Sequence, residues 1–369
     1  MIIRPFVAAL LMAANSAIAA GALPMATASS AAPQATENAV LSVLCYHNID
    51  LAKPKDTPYS VTSSLFEHQI LALEKAGFTF VSMERVRKYY DSGEPLPAKS
   101  ILLTFDDGRY DVYEHAYPML RSLGIPWAIF VYPSGINAGH ARNFMNWDDV
   151  RELAAHGVAI GSHSWDHPYL TKPPANVATP ADYASWLDRE LIASKQTIEK
   201  EIGLQVYAFA TPFGALDGIV QKRIAASGYS LSFNIYGSEN DLKSDPLYLN
   251  RILVVAKDSP EALVKRLGEK PLHLAKQRPA PLSIVSGGFA RMEFTLSEMS
   301  ELERSTLKIA VNGEDAAFTV DSSGEITVNV AVPERDKGFL VAVRAESRAG
   351  TAYSQSWYFV FRKEIPGYI

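Results

Sequence analysis

Short apolar runs and longer amphipathic stretches take turns along most of this chain. Residues 39–46, 79–82, 101–105, 127–132, 159–162, 206–210, 231–234 and 252–255 form nearly continuous hydrophobic segments of four to eight residues. That length and apolar density predict strands buried on both faces. The stretches between them, notably 66–76, 113–123, 147–156, 183–202 and 219–227, carry apolar residues at helical spacing. The resulting β-α-β-α rhythm predicts an α/β fold: a parallel sheet closed or nearly closed into a distorted (β/α) barrel, with fewer than eight regular units because the segments are short and uneven. In such barrels reactive groups gather beyond the C-terminal ends of the strands.

After residue 275 the rhythm changes. Runs at 282–285, 291–295, 307–312, 317–321, 326–332, 339–344 and 354–361 are short and punctuated by Gly, Asn, Asp and Pro, and only 297–303 has helix-like spacing. This predicts a small all-β sandwich, immunoglobulin-like in kind. The expected division is a barrel over 39–274 and a sandwich over 275–369, which a chain of 369 residues can accommodate.

The N-terminal end changes the setting. Arg4 precedes an apolar run from Phe6 to Ala14 that closes on Ala17-Ile18-Ala19. Asn15 and Ser16 interrupt the run well short of the roughly 20 apolar residues a membrane span needs, so 1–20 reads as a cleavable export leader. With no other apolar segment of spanning length, no transmembrane span is expected after cleavage, and a periplasmic or secreted protein is. Residues 21–38, rich in Ala, Ser, Thr and Pro, are expected to be a disordered linker. The net charge of −5, with scattered Lys and Arg, gives no basic stripe of the kind nucleic acid binding requires. Cys45 is the only cysteine, so no intramolecular disulfide can form, and within Val43-Leu44-Cys45-Tyr46 it reads as a buried strand residue.

Two strings carry the chemistry. Thr104-Phe105-Asp106-Asp107-Gly108 follows one apolar run, and His163-Ser164-Trp165-Asp166-His167 follows another. The four-residue spacing of His163 and His167 predicts a helical turn with both imidazoles on one face, where a carboxylate from elsewhere would complete a His₂-carboxylate metal set with an open position. Adjacent side chains at a strand end diverge, which leaves Asp106 free to serve as a general base. His47 and Pro212 also stand at predicted strand ends. Trp165, Phe213, Tyr110, Trp147 and Tyr236 are the aromatic candidates for stacking on sugar faces.

Together these strings resemble the signature of the polysaccharide deacetylases, the NodB-homology group of carbohydrate esterase family 4. The resemblance covers about residues 39–270 and extends to Val158-Ala159-Ile160-Gly161 and Pro212-Phe213-Gly214. It implies Asp107, His163 and His167 as ligands of a divalent metal, zinc first, with cobalt or nickel also suited to the donors. It implies Asp106 as catalytic base, and the backbone N–H of Phe213 as a donor to the oxyanion. The chain departs from the common pattern at Ala210, where most members carry an arginine that holds the base. A subgroup acting on poly-N-acetylglucosamine in biofilms resembles it in that respect and in a first strand ending Cys-Tyr-His. The subgroup implies His47 as general acid, with His273 as the rival, and Arg251 stands where it could supply the missing charge. The implied activity is removal of N-acetyl groups from amino sugars in an exported polysaccharide. Alternatives are a peptidoglycan or chitin-like substrate, or a non-catalytic glycan-binding protein. The sandwich is the expected contact for an export or cell-surface partner.

Overall fold

The structure, a computed structural model, describes residues 35–36, 39–50, 57–285, 288–332 and 338–361. The expected leader and all of the expected linker except 35–36 lie outside the described residues. Eight parallel strands form the first sheet: β1 (Val40–Tyr46), β2 (Thr79–Phe80), β3 (Lys99–Phe105), β4 (Trp127–Val131), β5 (Ala159–Ser162), β6 (Ala208–Ala210), β7 (Leu231–Phe233) and β8 (Ile252–Leu253). Their order is β7-β6-β5-β4-β3-β1-β8, with β2 beside the start of β3. The segment leading into β8 curls the sheet back on itself, because Leu249 pairs in parallel with Phe233 of β7 while Ile252 and Leu253 pair with Leu44 and Cys45 of β1. This is the distorted barrel that the apolar rhythm predicts.

Burial explains why these runs are strands. In β1 and β3 nearly every residue is buried, as helices covering one face and barrel interior on the other require. Several of the helices between them start on side-chain caps. Thr62 caps Ser63–Lys75, and Asn146 with Asp149, and Thr179 with Asp182, form reciprocal capping boxes.

The C-terminal strands form two antiparallel-rich sheets around one core. Met292, Phe294, Ile326 and Val328 of one sheet face Ile309, Val341, Trp357 and Phe359 of the other. The strand runs read from the sequence recur as Ile284–Val285, Gly288–Leu296, Lys308–Val311, Phe318–Val320, Ile326–Val332, Gly338–Glu346 and Ala352–Phe361. The helix-like spacing at 297–303 is instead a series of turns. There Ser297 N–H donates to His273 O, and the Glu298 carboxylate is drawn to His273.

His273 ties the sandwich to the barrel. Its Nδ1 lies 2.7 Å from Glu298 Oε1, and its Nε2 3.0 Å from Asp241 Oδ1. The two carboxylates, Asp241 first, push the pKa of this half-buried ring up to about 9. Because the folded pKa lies above the unfolded value of ~6.5, the linkage stabilises the fold fully below about pH 6.5 and is lost as pH rises through about 9. Allowing for solvent screening, the worth is on the order of 1–2 kcal/mol. The urea midpoint should therefore decline between pH 6.5 and 9.5, and His273→Gln should remove most of that slope. An equal slope in the variant would assign the decline to other groups.

Candidate active site

Four strand ends converge on a cleft of ≈ 200 Å³. His47 follows β1, Asp106 and Asp107 follow β3, His163 follows β5, and Thr211 and Phe213 follow β6. Tyr59, His167, Ile235 and Leu253 complete the lining.

The Asp-Asp-Gly string places its two carboxylates differently because the chain turns between them. Asp106 N–H still donates to Tyr46 O at the end of β1, whereas Asp107 (φ 73°) and Gly108 (φ 67°) are left-handed. Aspartate tolerates that conformation better than most residues, and at the next position the left-handed backbone favours glycine, where an added Cβ would also crowd Val131 Cγ1 at 3.1 Å. Asp106 therefore points into the barrel and is 2% exposed. There Arg251, fully buried, donates to it from both ends of its guanidinium at 2.6 and 2.7 Å, and also reaches Asn234 O. Cys45 Sγ lies 3.5 Å from Asp106 Oδ2. Burial alone would raise the pKa of Asp106, but the Arg251 charge outweighs it and holds the carboxyl well below the usual range. The charge absent at Ala210 thus arrives from Arg251.

The helical turn expected for the histidine string is corrected by the structure, which has a loop there. Ser164 (φ 66°) and His167 (φ 58°) are left-handed. The loop persists because side chains take the backbone donors a helix would use. Buried Glu190 accepts from the N–H groups of Trp165 and Asp166 at 3.0 Å each, and Ser164 Oγ accepts from His167 N–H at 2.9 Å. Nothing in the sequence signals Glu190, which lies some two dozen residues downstream in a helical stretch.

This loop brings His163 Nε2 and His167 Nε2 to 3.1 Å, with Asp107 Oδ1 at 3.6 and 3.5 Å from them. Asp107, His163 and His167 form a possible metal-binding group. A tetrahedral ion with ligands at ~2.0–2.1 Å needs donor separations of roughly 3.3–3.4 Å, close to this triangle. Protonation fits as well. His163 Nδ1 faces the Ala210 carbonyl at 2.7 Å; a carbonyl only accepts, so Nδ1 carries the proton and Nε2 of the neutral ring is left bare. Burial, and then the neighbouring His163, push the His167 pKa down to about 4, which leaves the His167 ring neutral near pH 7. Cys45, His47 and Asp106 also lie close enough to share an ion. Both oxygens of that aspartate are already engaged by Arg251, which makes this trio the poorer fit.

His47 stands at the cleft wall, its Nδ1 4.0 Å from Cys45 Sγ. Burial lowers its pKa, against the pull of Asp106 and Asp107. His273 is not in the cleft lining. Of the aromatic side chains named from the sequence, only Phe213 lines the cleft. Tyr236 lies beneath it, its hydroxyl donating to Gly214 O, and Trp165 turns toward Arg189. Tyr59 and Tyr169 were not legible as site residues. Tyr132, against His167 at 5.4 Å, follows β4 directly, so the strand-end rule that singles out His47 could have found it.

A parallel barrel that gathers a carboxylate–dihistidine group able to hold a metal, and a second, arginine-held carboxylate, at its strand ends has the architecture of a hydrolase. More particularly, the chain carries a polysaccharide deacetylase domain: residues 93–232 match the family described by that name. The poly-β-1,6-N-acetyl-D-glucosamine N-deacetylase of Escherichia coli strain K12 is 22% identical over 60% of this chain and 40% of its own length. This chain therefore spans less than half of that relative. The enzyme of the same name from Staphylococcus aureus strain MRSA252 is 27% identical, over 56% of this chain and 72% of its own. The structure of IcaB from Ammonifex degensii superposes with a TM-score of 0.53 and 25% identity, covering 62% of this chain and 97% of that one.

Proposed function

We propose that this protein is a metal-dependent N-deacetylase that removes acetyl groups from N-acetylated amino sugars in an exported polysaccharide of the poly-N-acetylglucosamine kind. The observation that carries the reading is the pairing of Asp106, gripped by Arg251, with the Asp107–His163–His167 group one residue away. Names of the relatives support the substrate class. The leader-like residues 1–20 support export, and no described helix is long and apolar enough to cross a membrane.

Asp107, His163 and His167 would hold the ion, zinc by preference. Such an ion supplies Lewis-acid polarisation of the amide carbonyl and a more acidic water. The chain's own groups do the rest. Asp106, kept ionised by Arg251, takes a proton as the water oxygen bonds to the carbonyl carbon. The Phe213 N–H donates to the oxygen on which charge develops. In its protonated form, which the lowered pKa makes the minor one near pH 7, His47 hands a proton to the nitrogen as the C–N bond breaks, releasing acetate and a free amine.

The test is acetate release, followed by mass spectrometry, from β-1,6-linked N-acetylglucosamine oligomers, chitin oligomers and peptidoglycan fragments. Activity on the first, lost on chelation and in His163→Ala together with cobalt binding, is the expected result. Cobalt bound by wild type with no acetate from any glycan would sink the deacetylase reading. Preference for chitin or peptidoglycan would move the substrate to the alternatives.

A further inference from the structure

The helical stretch from 180 to 202 is not uniform. Pro180–Asp188 and Ser194–Ile202 are α-helical, whereas Arg189–Ala193 between them is a π-helical turn, and the backbone stays right-handed across both junctions. Single π-helical turns inside helices are rare and concentrate at functional sites. This one is fastened to the barrel from outside the helix. Leu191 O accepts from the Tyr229 hydroxyl at 2.8 Å, and the buried Tyr229 ring packs on Phe209 of β6 with centroids 5.2 Å apart.

Two buried side chains reach from this stretch to the histidine loop. Glu190 commits one oxygen, Oε2, to the consecutive N–H groups of Trp165 and Asp166, the residues that lead into His167. Its other oxygen is buried with no hydrogen-bond partner among the described residues, the Arg189 guanidinium standing 3.7 Å away. Ser194 grips both neighbours of His163: its hydroxyl donates to Ser164 O at 2.8 Å and lies 2.9 Å from Ser162 Oγ. A buried carboxylate with an idle oxygen is costly, so its retention calls for a use. The loop provides one. Ser164 and His167 are left-handed, a strained state for residues other than glycine, and the loop must also keep the two Nε2 atoms 3.1 Å apart.

We propose that Glu190 and Ser194, presented by the π-helical turn and the residue after it, are positioning residues for the ion: they fix the loop that carries His163 and His167 and thereby set metal affinity, while supplying no ligand atom. The inference rests on the reading of Asp107, His163 and His167 as a metal group. It goes further in assigning the strength of that group to a helix some two dozen residues downstream. With its backbone donors and acceptor taken, the loop has few other conformations to adopt, so the donor triangle stands assembled before an ion arrives and less of the binding is lost to ordering. Partners that orient metal ligands change affinity about 10- to 100-fold.

The test is a cobalt titration of the full chain, followed by visible absorbance, with amide hydrogen exchange on the metal-free protein beside it. Glu190→Ala should weaken cobalt binding about 10- to 100-fold and Ser194→Ala should weaken it in the same direction, while Glu190→Gln, which keeps an acceptor of the same reach, should restore most of the affinity. Exchange at the Trp165 and Asp166 amides should quicken in Glu190→Ala. Val341→Ala, a cavity variant in the sandwich core, controls for lost stability: it should lower Tm and leave cobalt affinity at the wild-type value. Affinity within about 2-fold of wild type in both Glu190→Ala and Ser194→Ala overturns the proposal. So does an equal weakening in Val341→Ala, which would make the loss a matter of stability alone. If Glu190→Ala does not fold, unchanged affinity in Ser194→Ala is enough to overturn it. Wild type that binds no cobalt removes the metal reading and this proposal with it, whereas the other adverse outcomes overturn the proposal alone.

Discussion

Asp106→Asn is expected to lower turnover about 10²–10⁴-fold, the usual worth of a positioned base, while leaving metal affinity close to that of wild type. The two effects separate because the possible ligand atoms belong to Asp107, His163 and His167, and Asp106 spends both oxygens on Arg251. An asparagine keeps the shape and one acceptor but cannot take a proton. Kinetics at saturating substrate alongside a cobalt titration would measure both. Retention of more than about a tenth of wild-type turnover at equal metal content would remove Asp106 from the base role.

The second large effect concerns Arg251, among the largest of the fully buried side chains. Arg251→Met fills much of the same volume but leaves the Asp106 carboxylate without its charge partner. Breaking a buried pair from one side costs about 3–5 kcal/mol, because the remaining charge must be accommodated in the interior. For a unit of this size that is a fall of roughly 6–20 °C in Tm. Turnover should collapse with it, since among the described residues no other side chain clamps the base at two points. The double variant Asp106→Asn/Arg251→Met should regain much of the lost stability and none of the activity, a non-additivity expected of partners in direct contact. Destabilisation within about 1 kcal/mol of wild type in the single variant would show that the pair is not coupled as its geometry indicates.

These two residues also mark how far the sequence could be read. Asp106 is conspicuous, one letter beyond an apolar run in a string with few other uses. Arg251 could be picked out only as a charge before a strand; its bond to Asp106 spans 145 positions and depends on the barrel closing. Glu190 is less visible still, since a glutamate in an amphipathic stretch looks like a solvated one until the loop of Trp165 and Asp166 folds over it. The histidine spacing misleads about backbone, because four residues can bring two rings together through left-handed turns as well as through a helix. The strand Leu274–Arg278 escapes the apolar pattern for a simpler reason: it is an exposed to half-buried edge, rich in polar side chains. The barrel strands were legible because burial on both faces leaves little choice of residue.

Tyr236 links the far end of the chain to the turn that carries Phe213. Its ring stacks at 5.1 Å and 12° on Tyr358, in the last described strand, while its hydroxyl holds Gly214 O, and Tyr248 accepts from the Tyr358 N–H. The barrel is consequently not a cassette that can be lifted out at will. Trimming away the final strand would bare one face of Tyr236 directly under the reactive turn, and any foreign module spliced in its place would have to bring an aromatic ring to the same spot. A single stacked pair thereby restricts which accessory modules this barrel can exchange.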